Sequence, residues 1–169
     1  MKPSTRETDS VAPNTPYTPQ LEGRDPLSSM RDSIPAIAEA VAGWTPEQFD
    51  RPLAPGKWTA RQVLTHLAQT AMALGTRARM ALTTPGFVAQ SFDQDRWLGR
   101  ESFLTGPQAA QAFTLLASLN LGLYASLSDA DRQTELTHDE YGPMTVDWII
   151  YQEAGHQVHH LKQLLSMSR

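Results

Sequence analysis

The chain has no cysteine among its 169 residues. This excludes disulfides, thiolate zinc sites and cysteine nucleophiles together, so any bound metal must be held by His, Asp or Glu. It also lacks an apolar run of about eighteen residues, the length that would span a bilayer. The N-terminus, Met-Lys-Pro-Ser-Thr-Arg-Glu-Thr-Asp, has none of the apolar stretch of a secretory signal. Basic residues are too few and too scattered for a nucleic-acid surface: 14 stand against 18 acidic ones, for a net charge of −4. Arg77 and Arg79 are close in sequence but fall on different faces of a helix. No internal repeat is visible, and no long segment alternates polar and apolar residues with a period of two. A cytoplasmic protein is expected, with no membrane and no nucleic acid among its partners.

What is present is enough apolar sequence, 40% of residues, for one domain with a core. Residues 1–25 carry prolines at 3, 13, 16 and 19 and are expected as an extended or partly disordered N-terminal segment, with Tyr17 and Leu21 as docking points. Residues 26–169 are expected as a single domain of four long helices. The first spans 26–41 with Leu27, Met30, Ile34, Ile37 and Val41 on one face and a local kink at Pro35. The second opens at Thr59, with Gln62 completing a capping box, and runs to Leu82. Residues 87–105 are expected to be irregular. The third starts near Pro107 and carries Ala109, Phe113, Leu116, Leu119, Leu123 and Leu127. A short hairpin around Gly142-Pro143 precedes the fourth, which Thr145 caps. The fold class is therefore all-α: a four-helix bundle with long loops and a short β-hairpin before the last helix.

The histidines carry the chemistry. His156 and His160 stand four residues apart in Glu153-Ala-Gly-His-Gln-Val-His-His-Leu161. On a helix both imidazoles project from one face and can reach a single ion. His66, on the apolar face of the second helix, is a third candidate. Three neutral imidazoles with an open position describe a catalytic rather than a closed structural site. On spacing alone, each could equally be a core histidine donating to a carbonyl. His159 lies about 100° around the helix from His160, and His138 lies in the loop before it; neither belongs to the expected ligand set. The zinc-protease pattern His-Glu-x-x-His fails here, because Gln157 cannot take a proton. Glu153 is either an outer partner of the site or a solvated helix carboxylate.

Three segments together resemble the DinB/YfiT-like family, above all its YfiT-type members. They are Gly56-Lys-Trp-Thr-Ala-Arg-Gln-Val-Leu-Thr-His-Leu-Ala68, Phe92-Asp-Gln-Asp-Arg-Trp97 and His156-x-x-x-His160-Leu161. The resemblance implies a four-helix bundle holding one divalent ion, nickel or zinc, on His66, His156 and His160, and pairing as a homodimer. Family members of known activity include transferases that add bacillithiol or another low-molecular-weight thiol to electrophilic small molecules; many others are metal-dependent hydrolases by name only. Where family members usually have Asp, this chain has Gln69, which can hydrogen-bond but cannot accept a proton.

Three functions follow as expectations. A thiol transferase would use the ion to stabilise the thiolate of the cosubstrate, so the protein needs no cysteine. A hydrolase would use it to activate water and would need a general base, for which the sequence offers no strong candidate. A non-catalytic metal- or ligand-binding dimer is the third. Trp58, Trp97 and Trp148 are candidates for the pocket wall or for ordinary packing. Arg61 and Arg96 are candidates to hold a cosubstrate carboxylate.

Overall fold

The computed structural model describes residues 11–168; residues 1–10, the start of the expected N-terminal segment, lie outside the described residues. Four long helices form the body: α1 (Pro26–Ala40), α3 (Ala60–Thr83), α5 (Gly106–Ser126) and α7 (Val146–Met167). Short helices α2 (Pro46–Phe49), α4 (Gln94–Arg100) and α6 (Asp129–Arg132) lie in the connections. Strands β1 (Val88–Ala89), β2 (Glu135–His138) and β3 (Gly142–Thr145) form one small sheet. No helix among the described residues is long and apolar enough to cross a membrane.

The helix starts follow local chemistry. Asp25 accepts from the Ser28 amide ahead of α1, while Thr59 and Thr105 each form a capping box, with Gln62 and Gln108 respectively. Thr145 caps α7 through the Trp148 amide. α1 runs continuously through Pro35. The bundle is a ring in which α3 packs on α5 and α7, and α1 packs on the same two helices. Thus α1 and α3, consecutive among the long helices, stand diagonally, and α3 and α7 share an interface.

Two expectations are corrected. Residues 87–105 are not wholly irregular: α4 forms there, with Asp93 accepting from the Arg96 amide as its cap. Two turns are too short to leave a readable periodicity. The hairpin is real, but its turn is Asp139–Tyr141; Gly142 and Pro143 already belong to β3, where Pro143 is tolerated on an edge strand. The helix α5 is apolar around much of its circumference. Its buried face is Ala109, Ala110, Phe113, Ala117, Asn120 and Tyr124, whereas Leu119 is 62% exposed. Small residues win because α5 approaches α3 closely: a Cβ at Gly75 would overlap the Asn120 amide.

The segment before α1 is held against α7. A 3₁₀ turn, Thr18–Leu21, packs on that helix and buries Leu21. Gly155 makes room for it, since a Cβ there would overlap the Tyr17 carbonyl. Gly155→Ala should therefore push the strap away and cost about 1–3 kcal/mol of stability, measured by thermal or urea unfolding; a change within a few tenths would show that the close approach does not matter.

Candidate metal centre

His66 comes from the second turn of α3, and His156 and His160 from successive turns of α7, the helix beside it. All three are buried, and each offers a ring nitrogen lying within 4.8 Å of the others'. Among the described residues they form the one such group of three or more His, Asp or Glu side chains. The nitrogens are specific: His156 Nε2 lies 2.9 Å from His66 Nε2 and 2.9 Å from His160 Nε2.

That convergence has a chemical meaning. A neutral imidazole nitrogen carries one proton or one lone pair, so His156 Nε2 cannot make two good hydrogen bonds to its neighbours. A cation accepting three lone pairs resolves the conflict. The tautomer of His160 agrees: its Nδ1 donates to Gln163 Oε1 at 2.7 Å, which leaves Nε2 as a lone pair. Gln163 is itself held, its amide nitrogen donating to His159 Nε2 at 3.1 Å. His66 Nδ1 is buried without a partner, so ring burial there is costly unless Nε2 is well used. Tyr17 packs edge-on against His156 at a centroid distance of 5.0 Å, and Trp58 packs tilted against His66 at 4.9 Å.

Burial keeps the imidazoles neutral, as ligation requires. Loss of solvent is the main cause in each case. It lowers the His66 pKa to about 4, partly offset by the Asp95 charge, and the His160 pKa to about 3. His156 is pushed well below the usual value by burial and by the other imidazoles. An all-nitrogen set of this kind suits zinc, nickel and similar ions better than magnesium or calcium.

Two clefts reach the cluster. The larger, of about 440 Å³, is bordered by His66 and His156, with Tyr17, Arg77, His138 and Trp148 among its walls. The smaller, of about 360 Å³, is bordered by His160, Gln163, Trp58, Lys57 and Asp95. Gln94, at the start of α4, borders both.

Other candidates are placed as follows. Trp97 packs on Phe92 at 4.5 Å and borders neither cleft. Arg61 pairs with Asp50 at 2.8 Å, and Arg96 is an exposed partner of Asp93, so neither reaches the histidine clefts. Gln157 is buried and accepts from Ser33 Oγ. Gln69 turns towards α4, donating to Glu101 Oε2 at 2.7 Å. Glu153 is not a solvated carboxylate: it is buried, accepting from Tyr124 Oη at 2.6 Å and Asn120 Nδ2 at 3.0 Å. His159 is half-buried, its ring tilted against that of Tyr17 at 5.3 Å. Sequence reasoning passed over Arg77, Asp95 and His138, which the far end of α3, the start of α4 and the end of β2 bring to the clefts. The Phe92–Trp97 segment was the available signal for Asp95.

The family model described as DinB superfamily matches residues 30–164. The chain is 28% identical to "Putative metal-dependent hydrolase YfiT" of Bacillus subtilis, over 88% of this chain and 85% of that one. A "Putative metal-dependent hydrolase" of Geobacillus thermodenitrificans is 27% identical, over 85% and 82% of the two chains. Among solved structures, YfiT from Bacillus subtilis, described as having an unusual four-helix bundle topology, superposes with a TM-score of 0.78 at 22% identity, covering 85% of this chain and 84% of that one. The matched span includes all three clustered histidines and every long helix but the first turn of α1 and the last residues of α7: this chain belongs to the DinB superfamily.

Proposed function

We propose that the chain is a metal-dependent enzyme that transfers a low-molecular-weight thiol, bacillithiol or a similar compound, to an electrophilic small molecule. The observation that carries this reading is the division of the three histidines between two clefts, which gives two small molecules separate approaches to one centre. His66, His156 and His160 would hold the ion through Nε2. When bound, a divalent cation supplies Lewis acidity that favours the anionic form of a thiol. The Asp95 carboxylate, which borders the smaller cleft and whose charge acts on His66, takes the thiol proton in this reading. The sulfur then bonds to the electrophilic carbon, and the displaced group leaves with its electron pair. Tyr17 and Trp58, packed on the histidines, limit access of bulk water.

Hydrolysis is the second reading, favoured by the same Asp95, which could take a proton from water instead, and by the names of the relatives. One experiment separates the two. Untagged protein loaded with nickel or zinc is given either bacillithiol with the electrophile monochlorobimane or chromogenic ester and amide substrates without thiol, beside chelator-treated protein. Metal-dependent loss of thiol is expected. Metal-dependent ester or amide cleavage without thiol would favour hydrolysis, and neither activity in metal-loaded protein would leave a binding role.

The homodimer forms, in this reading, through the outer face of α5, where Leu115 and Leu119 are 65% and 62% exposed. Replacing both by glutamate should convert a dimer to a monomer in sedimentation measurements.

A further inference from the structure

The larger cleft has a second chemical end. On α3, His66, Thr70, Leu74 and Arg77 follow one another along the cleft wall, and Gln152 and His156 face it from α7. Arg77 stands eleven residues beyond His66, roughly three turns or about 16 Å along the axis. Two residues of the cleft wall carry polar atoms that are buried and have no partner among the described residues, Thr70 Oγ1 and Gln152 Oε1. The Thr70 side chain belongs to a residue only 9% exposed.

Arg77 has donors to spare. Among the described residues its guanidinium makes one hydrogen bond, to the Gln90 carbonyl, and it sits 5.9 Å above the Phe92 ring. No carboxylate of a described residue lies within ion-pair distance of it. His138, at the end of β2, borders the same cleft and is 3% exposed. Its Nδ1 accepts the amides of Glu140 and Tyr141, at 3.1 and 3.3 Å, which puts the ring proton on Nε2. The contact of Nδ1 with Asp139 at 3.2 Å is therefore no charged pair, since that nitrogen already serves as acceptor. The pKa of His138 is lowered, by burial first and by the Arg77 charge second, so the ring is neutral and the two groups are neighbours.

We propose that the Arg77 and His138 end of the larger cleft is a carboxylate subsite, holding the anionic end of a substrate whose other end reaches the histidine cluster. The guanidinium fork and the His138 Nε2–H supply the donors. N–H or O–H groups in the middle of the substrate meet Gln152 Oε1 and Thr70 Oγ1. A singly charged carboxylate suits the site better than a phosphate dianion, because Asp93 and Glu140 also border the cleft. The reach to the cluster rests on the thiol-transfer reading; the carboxylate preference stands without it.

The test uses cobalt-loaded full-length protein and two probes, glutathione and its diethyl ester, with binding read by calorimetry. A charged hydrogen-bonded pair of this kind implies that the acid binds about tenfold to a hundredfold more tightly than the ester. Arg77→Gln should abolish that preference, and Arg77→Lys should keep part of it. Equal binding of acid and ester by the unaltered protein, or full preference in Arg77→Gln protein with unchanged cobalt content, would overturn the subsite. The sulfur-to-cobalt charge-transfer band, followed with 2-mercaptoethanol, reports separately on the thiol reading. A carboxylate preference without any such band would sink thiol contact with the ion and leave the subsite standing.

Discussion

Replacing His160 by alanine should lower affinity for nickel or zinc by more than about a hundredfold, because loss of even an outer partner typically costs tenfold to a hundredfold. The substitution leaves two imidazoles, and His156 Nε2 keeps its 2.9 Å contact with His66 alone. The conflict of three converging nitrogens disappears with it, so the metal-free variant should be no less stable than the metal-free parent by more than the lost packing. Gln163→Ala is the graded companion. It removes the acceptor that holds His160 Nδ1–H, and should weaken binding by about tenfold to a hundredfold without removing a ligand. Metal content after dialysis, and competition with a chromogenic chelator, read both effects. Stoichiometric metal retained by His160→Ala protein would refute the three-histidine centre.

The second large effect is expected at Glu153, where α7 meets α3 and α5. Its carboxylate takes the Tyr124 hydroxyl and the Asn120 amide, while Asn120 also donates to the Ala71 carbonyl and accepts from Arg79. Glu153→Ala leaves these donors buried without an acceptor and opens a cavity, a loss of about 3–5 kcal/mol. Glu153→Gln should restore most of that, since it keeps the volume and one acceptor oxygen.

The pH dependence separates the two residues further. Burial raises the Glu153 pKa from 4.5 to about 7, against the pull of its hydrogen-bond donors. The native state therefore holds this proton more tightly than the unfolded chain. The resulting stabilisation is full below pH 4.5 and is lost as pH rises through about 7. The histidines act in the opposite sense. His66 is lowered from 6.5 to about 4, so its contribution is present above pH 6.5 and lost as pH falls through about 4. His160, lowered to about 3, and His156, also lowered, add to the His66 side, so Glu153 offsets only part of the loss of stability that metal-free wild type undergoes on acidification. In Glu153→Gln protein the histidine arm stands alone, and stability should fall more steeply on acidification from pH 6.5. Urea unfolding at a series of pH values checks this; an unchanged profile would mean that Glu153 does not titrate in that window.

How much of this was legible in the sequence differs element by element. Helix starts were legible because a cap is a local event: Thr59 with Gln62, and Thr145, needed only their own neighbours. The buried face of α5 was not, because leucines run around most of the helix and only proximity to α3 favours Ala117 and Asn120 at the contact. α4 escaped notice because it is too short for its periodicity to show. Glu153 was read as an outer partner or a solvated group. Its real partners, Tyr124 and Asn120, are 29 and 33 residues away on another helix, and no spacing rule links them.

The sequence by itself determined the bundle class, the absence of any cysteine chemistry and the three histidines that could share an ion. Helical periodicity and side-chain type are properties of short segments, and two of those histidines are one turn apart. Only the tertiary structure decided that α3 lies beside α7, bringing His66 to that pair. It also decided that Glu153 is locked in the core and that Arg77, Asp95 and His138 border the clefts. Those outcomes depend on how α4, the small sheet and the strap at Tyr17 fold back over the bundle. Such long-range packing is selected by burial summed over the whole chain, which no local pattern records.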